Sequence, residues 1–197
     1  LLATSGGEVL TMLTALILNI PLPITAVMVL WVNLVTDGVS VIPRGLSPSE
    51  SHQMRQPPRS PSSPLLSKVL LTRVFILAFT MAVTVLTVFK LNLGNGVAYA
   101  QTAAFLSLIV IQWANAFNMN FEYRSWTHNL FNPNYRLIAA IGVSIVVNII
   151  VFNTGIRDFF GLAILSGKDA AIIILASVSA ALIACDLHKL TVRLFKK

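Results

Sequence analysis

The chain has 197 residues, 56% of them hydrophobic and only 11% charged, with a mean hydropathy of +0.80; an ordinary soluble domain carries about 25% charged residues. That balance excludes a water-soluble fold. The net charge of +7 raises nucleic acid as a partner, but the Lys and Arg residues lie in the connections between apolar stretches and form no basic stripe, so no nucleic acid is expected.

Apolar residues arrive in blocks of about twenty, the length of one helix through a bilayer core. Three Trp and three Tyr are too few for the aromatic girdles of an outer-membrane barrel. The expected class is all-α, a polytopic membrane helical bundle of six spans, near 1 to 20, 24 to 43, 69 to 89, 100 to 121, 135 to 153 and 169 to 187. No basic leader precedes the first, so it is expected to be a span of a longer protein and not a secretory signal. Turn chemistry separates the stretches: Asn19-Ile-Pro-Leu-Pro23, Asn92-Leu-Gly-Asn-Gly96, Asn132-Pro-Asn134 and Thr154-Gly155. Cys185 is the lone cysteine, so no intrachain disulfide can form, and it reads as packing.

The second connection, 44 to 67, is long and holds Pro48, Pro57, Pro58, Pro61 and Pro64, a composition that favours extended backbone and opposes helix. Its overlapping PxxP patterns could serve a proline-binding domain; a stiff basic strap that braces helix ends is the simpler reading. Arg44, Arg55, Arg59, Lys68, Arg73, Arg124, Arg136, Lys189, Arg193, Lys196 and Lys197 fall on one side of the six spans. Only Lys90, Arg157 and Lys168 fall on the other. Short cytoplasmic loops retain Lys and Arg, so loop 44–67 and the C-terminus are expected in the cytoplasm. Trp126 and Tyr135 would mark the interface beside the fourth connection, and the basic tail would anchor to the anionic face.

An ionised group in the hydrocarbon core costs about 3 kcal/mol on the gentlest scale. Asp186 stands at the end of the sixth stretch beside His188 and Lys189 and reads as interfacial. Glu8 in the first stretch and Asp37 in the second have no basic partner at comparable depth. They require a cation. Helical spacing puts Thr4, Ser5 and Glu8 on one face, Asn33, Thr36 and Asp37 on another, and Gln112 and Asn115 three apart on a third. Asn115, Asn118 and Asn148 read first as interhelical glue. Asp37-Gly38, with Pro43 in the same span, makes a weak helix, and interrupted helices at membrane depth line cavities or ion paths. Gly6-Gly7 would let a neighbouring helix approach.

Glu8 and Asp37 offer up to two side-chain oxygens each, and Ser5, Asn33, Thr36 and Gln112 one each. Calcium takes about 6 to 8 oxygens in flexible geometry, whereas magnesium keeps its waters. No thiolate or imidazole cluster suits zinc or copper.

The run Trp31-Val-Asn-Leu-Val-Thr-Asp-Gly38 resembles the sixth transmembrane helix of P-type cation-transporting ATPases, above all the calcium pumps of the sarcoplasmic reticulum type and their prokaryotic relatives. Gly7-Glu8 is similar to the ion-binding end of the family's fifth helix. Pro57-Pro-Arg-Ser-Pro61 is similar to the loop after the sixth, and Ile111-Gln-Trp-Ala-Asn-Ala116 to the eighth. The resemblance implies that 1–197 is the C-terminal transmembrane transport region, helices five to ten, of an ATP-driven pump. It also implies that positions matching Ser5, Glu8, Thr36, Asp37 and Gln112 surround one ion, and that those matching Asn33 and Asp37 serve a second. Two positions depart from the two-site calcium pumps: Ser5 stands for their Asn, and Gln112 for their Glu.

The phosphorylated Asp-Lys-Thr-Gly-Thr motif is absent, so ATP and Mg2+ would belong to cytoplasmic domains of the same pump outside this chain. The chain alone would hydrolyse nothing. Calcium export from the cytoplasm is the expected activity of the parent, with proton countertransport once the ion leaves the carboxylates. The rivals are a P-type pump for sodium, protons or manganese, a stand-alone secondary transporter or channel, and a scaffold acting through the proline-rich loop.

Overall fold

The computed structural model describes residues 2–45, 68–118 and 134–195, and every regular element among them is helical. Helix α1 spans Leu2–Ile17. Its chain is turned out of the helix at Asn19, which takes a left-handed φ of 51°, and Pro21 and Pro23 cannot extend it. Thr25 then caps α2, Ala26–Trp31, by accepting from the Met28 N–H. The winding widens to a π-helix over Val32–Asp37 and returns to α geometry in α3, Gly38–Gly45. Helix α4 covers Lys68–Asn92, a 3-10 turn follows at Leu93–Asn95, and α5 covers Val97–Asn118. Asn134 caps α6, Tyr135–Asn153, by accepting from the Leu137 N–H. A short α7, Ile156–Phe160, precedes α8, Gly167–Phe195.

Among the described residues four helices are long and apolar enough to cross a bilayer: Leu70–Asn95, Val97–Phe117, Tyr135–Asn153 and Gly167–Ala184. Leu2–Ile17 and Ala26–Asp37 are apolar but shorter. The first two expected spans are therefore present as apolar helices, but α1 ends three residues earlier than the apolar run, at the left-handed turn. Arg73, read from sequence as a loop residue, lies inside α4 and is buried. Loop 46–67, with its prolines and PxxP patterns, lies outside the described residues. So do residues 119–133, with Trp126.

Helix α4 packs along α1 on one side and against α5 and α8 on the other. Gly7 permits the first contact: a Cβ there would fall 2.6 Å from Met81 Sδ and 3.1 Å from Met81 Cβ. Gly6 is less constrained, with Ala78 Cβ 3.6 Å away. The main core joins Met28 and Val32 to Met81, Val85 and Phe89 of α4 and to Phe105, Leu108 and Ile109 of α5.

The connection 154–166 is built more firmly than a hairpin turn. Phe160 of α7 is buried, edge-on to Trp31 at 5.2 Å and stacked on Phe105 at 6.3 Å. Ala163 N–H donates to Thr102 Oγ1 at 2.8 Å, and Ser166 N–H to Tyr99 OH at 3.1 Å. Tyr99 in turn donates to Asp169. Asn148 acts as the glue expected of it: its Oδ1 accepts from Trp31 Nε1 at 3.2 Å, joining α6 to α2.

Candidate cation site

Glu8 and Asp37 are 4% and 8% exposed, on α1 and at the end of the π segment. Neither has an ion-pair partner among the described residues, where the ion pair seen is the surface contact Arg157–Asp158 at 3.4 Å. Their bonds cross. Thr4, one turn before Glu8 on α1, donates its hydroxyl to Asp37 Oδ2 at 2.6 Å. Asn33, one turn before Asp37, donates Nδ2 to Glu8 Oε2 at 3.0 Å. From α5, Gln112 Nε2 reaches the other oxygen, Glu8 Oε1, at 3.1 Å. Three chain segments thus converge on two carboxylates.

The π segment matters to this convergence. The Gly38 N–H bonds to the Asn33 carbonyl, five residues back, so one extra residue is accommodated in the turn. Such bulges recur at functional sites. The break expected at Asp37-Gly38 is therefore a widening: the chain stays wound, because the i→i−5 bond satisfies the backbone that an unwound segment would leave open. Pro43 then lies within α3, where it lacks an N–H for the Val39 carbonyl.

Of the six expected ligands, the structure brings Glu8, Asn33, Thr36, Asp37 and Gln112 to this region and leaves Ser5 apart. Thr36 is buried beside Asp37. Ser5 is exposed, on the outer face of α1 with Leu2, Val9 and Leu13. The inward row of α1 is Thr4, Glu8, Thr11 and Ala15, an i+4 row, and Ser5 sits about 100° from Thr4 around the axis. The hydroxyl that meets the carboxylates from α1 is that of Thr4. Asn115, read as glue, instead leaves Oδ1 with no hydrogen-bond partner among the described residues, and Gln112 Oε1 has none either.

The donor set suits a hard cation. No group of three His, Cys, Asp or Glu occurs among the described residues, so the acids are supplemented by amides and hydroxyls. Each amide now donates to Glu8. Half a turn about its last torsion exchanges nitrogen for oxygen and makes a ligand of it without moving the backbone.

Residues 21–191 match the family model described as "Cation transporting ATPase, C-terminus". The chain is similar to a calcium-transporting ATPase of Bacillus subtilis, at 30% identity over 178 residues, which is 88% of this chain and 20% of that protein. It is similar to calcium-transporting ATPase 1 of Schizosaccharomyces pombe, at 27% over 170 residues, 85% of this chain and 19% of that protein. Against the cation-transporting ATPase pma1 of Synechocystis it is 30% identical over 111 residues, 55% of this chain and 12% of that protein. The chain spans about a fifth of the length of the first two relatives.

Proposed function

The chain belongs to the cation-transporting ATPase C-terminal family, and on that premise we propose that residues 1–197 form the ion-binding part of an ATP-driven pump exporting calcium from the cytoplasm. The observation that carries this reading is the crossed pair Thr4–Asp37 and Asn33–Glu8, which draws two buried carboxylates together with no base beside them among the described residues. In a low-dielectric interior such a pair is tolerated only when positive charge compensates it, and one divalent ion supplies it. Glu8, Asn33, Thr36, Asp37 and Gln112 are its proposed ligands, with Thr4 holding Asp37. Ser5, on the outer face of α1, is left to meet a neighbouring membrane segment.

In the whole pump, cytoplasmic domains would bind ATP and Mg2+, and phosphorylation there would alternate access to this site. Loop 44–67 and the C-terminus would face those domains, as the basic residues indicate. Protons would replace the departing ion.

One feature favours a second reading, a pump for another cation such as sodium or manganese: Gln112 brings an amide, not a third carboxylate, to Glu8. The test is ion-dependent phosphorylation of the full-length pump, ion by ion, for the native protein and Asp37→Asn. Calcium-stimulated phosphorylation abolished by Asp37→Asn is the expected result. Unaltered calcium affinity in that variant would overturn the reading, and stimulation by sodium but not calcium would select the second.

A further inference from the structure

Two indoles tie the elements of the site to a helix that carries none of its proposed ligands. Trp31 Nε1, at the end of α2, donates to Asn148 Oδ1 at 3.2 Å, and Trp113 Nε1 of α5 donates to Ser144 Oγ at 3.0 Å. Both acceptors belong to α6. Ser144 and Asn148 are buried one turn apart, and Asn148 Nδ2 donates to the Ser144 carbonyl at 2.8 Å, so the two acceptors are also joined to each other. Each indole stands beside an amide that binds Glu8: Trp31 two residues before Asn33, and Trp113 next to Gln112. Packing between α6 and α5 is thinned by an apolar trough of about 800 Å³, which opens between α5, α6 and α8 and has Trp113 and Asn148 in its wall. The hydrogen bonds bridge the helices where side-chain packing is interrupted.

We infer that Ser144 and Asn148 are positioning residues for the cation site: one polar pair on α6 sets the roll of α2 and of α5 about their axes, and thereby aims the Asn33 and Gln112 amides at Glu8. The inference rests on the cation-site reading and deepens it. Successive residues of an α-helix stand about 100° apart around the axis. With Trp113 pinned to α6, Gln112 faces about a quarter-turn away, where Glu8 Oε1 meets it. With Trp31 pinned to α6, Asn33 falls on the far side of its own segment, where Glu8 Oε2 meets it. A helix free to roll would carry its amide off that oxygen. Among the described residues neither Ser144 nor Asn148 bonds to a carboxylate, so the effect passes through the indoles. The pair on α6 is thus an outer brace, and an arriving cation meets two amides held in fixed directions.

The test uses the full-length pump. Ser144→Ala and Asn148→Leu each remove one acceptor, and each is expected to raise the cation concentration for half-maximal phosphorylation roughly ten-fold, the lower end of what losing an outer-sphere partner costs. Maximal phosphorylation should hold, and Ser144→Thr, which keeps the hydroxyl, should retain native affinity. Trp113→Phe deletes the same bond from its other end and replaces Ser144→Ala should that variant not fold. In a Gln112→Ala background Ser144→Ala should add little, since the amide it aims is gone; in an Asn33→Ala background it should keep its full effect. Lower thermal stability with unchanged cation affinity in both α6 variants means glue between helices only and overturns the inference, as does an equal effect in the two backgrounds. Asp37→Asn run in parallel keeps the two claims apart. If it retains native affinity, the site reading falls and the brace falls with it; if it abolishes stimulation while both α6 variants bind cation as the native pump does, the brace alone falls.

Discussion

Thr4 of α1 donates its hydroxyl to Asp37 Oδ2 at 2.6 Å, so the helix that carries one buried carboxylate also holds the other. Hydrogen bonds to an ionised acceptor are the stronger kind, contributing about 1.5–3 kcal/mol. Because Thr4 is buried with Glu8 one turn away on the same row, its bond fixes the spacing of the pair as well as the direction of Asp37.

Thr4→Val keeps the β-branched shape and removes the donor. In the full-length pump it is expected to weaken cation binding about ten-fold while leaving expression and membrane insertion intact. Titrating cation against phosphoenzyme formation checks this, and native affinity in the variant would show that Thr4 merely packs.

Gln112 decides how much negative charge the site presents. Gln112→Glu removes the 3.1 Å amide bond to Glu8 and sets a like charge beside it, which is unfavourable until a cation arrives. The variant should melt earlier than the native pump in chelator. It should gain more from calcium than the native pump does, with roughly ten-fold greater preference for calcium over sodium, because ligand charge governs divalent affinity. Melting curves in chelator, calcium and sodium measure both.

Gly7 sets how near α1 and α4 can come. A Cβ there meets Met81 Sδ at 2.6 Å and, less able to yield, Met81 Cβ at 3.1 Å. Gly7→Ala should destabilise by about 1–3 kcal/mol through overpacking, and in a Met81→Ala background, itself destabilised by its cavity, the added cost of Gly7→Ala should largely vanish. The double variant, compared with each single by thermal unfolding, tests whether the contact is the cause.

Phe160 closes the aromatic cluster of Trp31, Phe105 and Phe152. Phe160→Ala is expected to cost about 3–5 kcal/mol by the cavity it leaves. The readout is an earlier melt, with the cation dependence of phosphorylation preserved, since no ligand oxygen lies on α7.

Much of the site was legible because charge in an apolar block is conspicuous. Glu8 and Asp37 stand out against their neighbours, and Asn33 falls one turn from Asp37 on a shared face, whereas Gln112, on another helix, joined the set by its oxygen and by the family resemblance. Ser5 lies apart from the others for a reason of angle: three residues before Glu8 and adjacent to Thr4, it satisfies the same spacing rule, yet the face of α1 packed within this chain centres on the Thr4, Glu8, Thr11 and Ala15 row. Periodicity identifies a face without saying which edge of it a neighbour covers. The π turn was unreadable, since a 3.6-residue period is assumed before any wider winding can be noticed. Likewise Ile156–Phe160 followed a turn signal at Thr154-Gly155, and five residues carry too little pattern to announce a helix. The orphaned Asn115 oxygen could emerge only from packing, because an amide three places from Gln112 reads equally well as a bond between helices.

The wide turn at Val32–Asp37 gives this helix a gear with a spare tooth. Drawing one residue back into ordinary winding would re-index everything on one side of it by about 100°, carrying Asp37 off Thr4 while α2 stays clamped by Trp31 to Asn148. A rod with that seam can exchange the partners of a single acidic group without tilting, sliding or melting at either end.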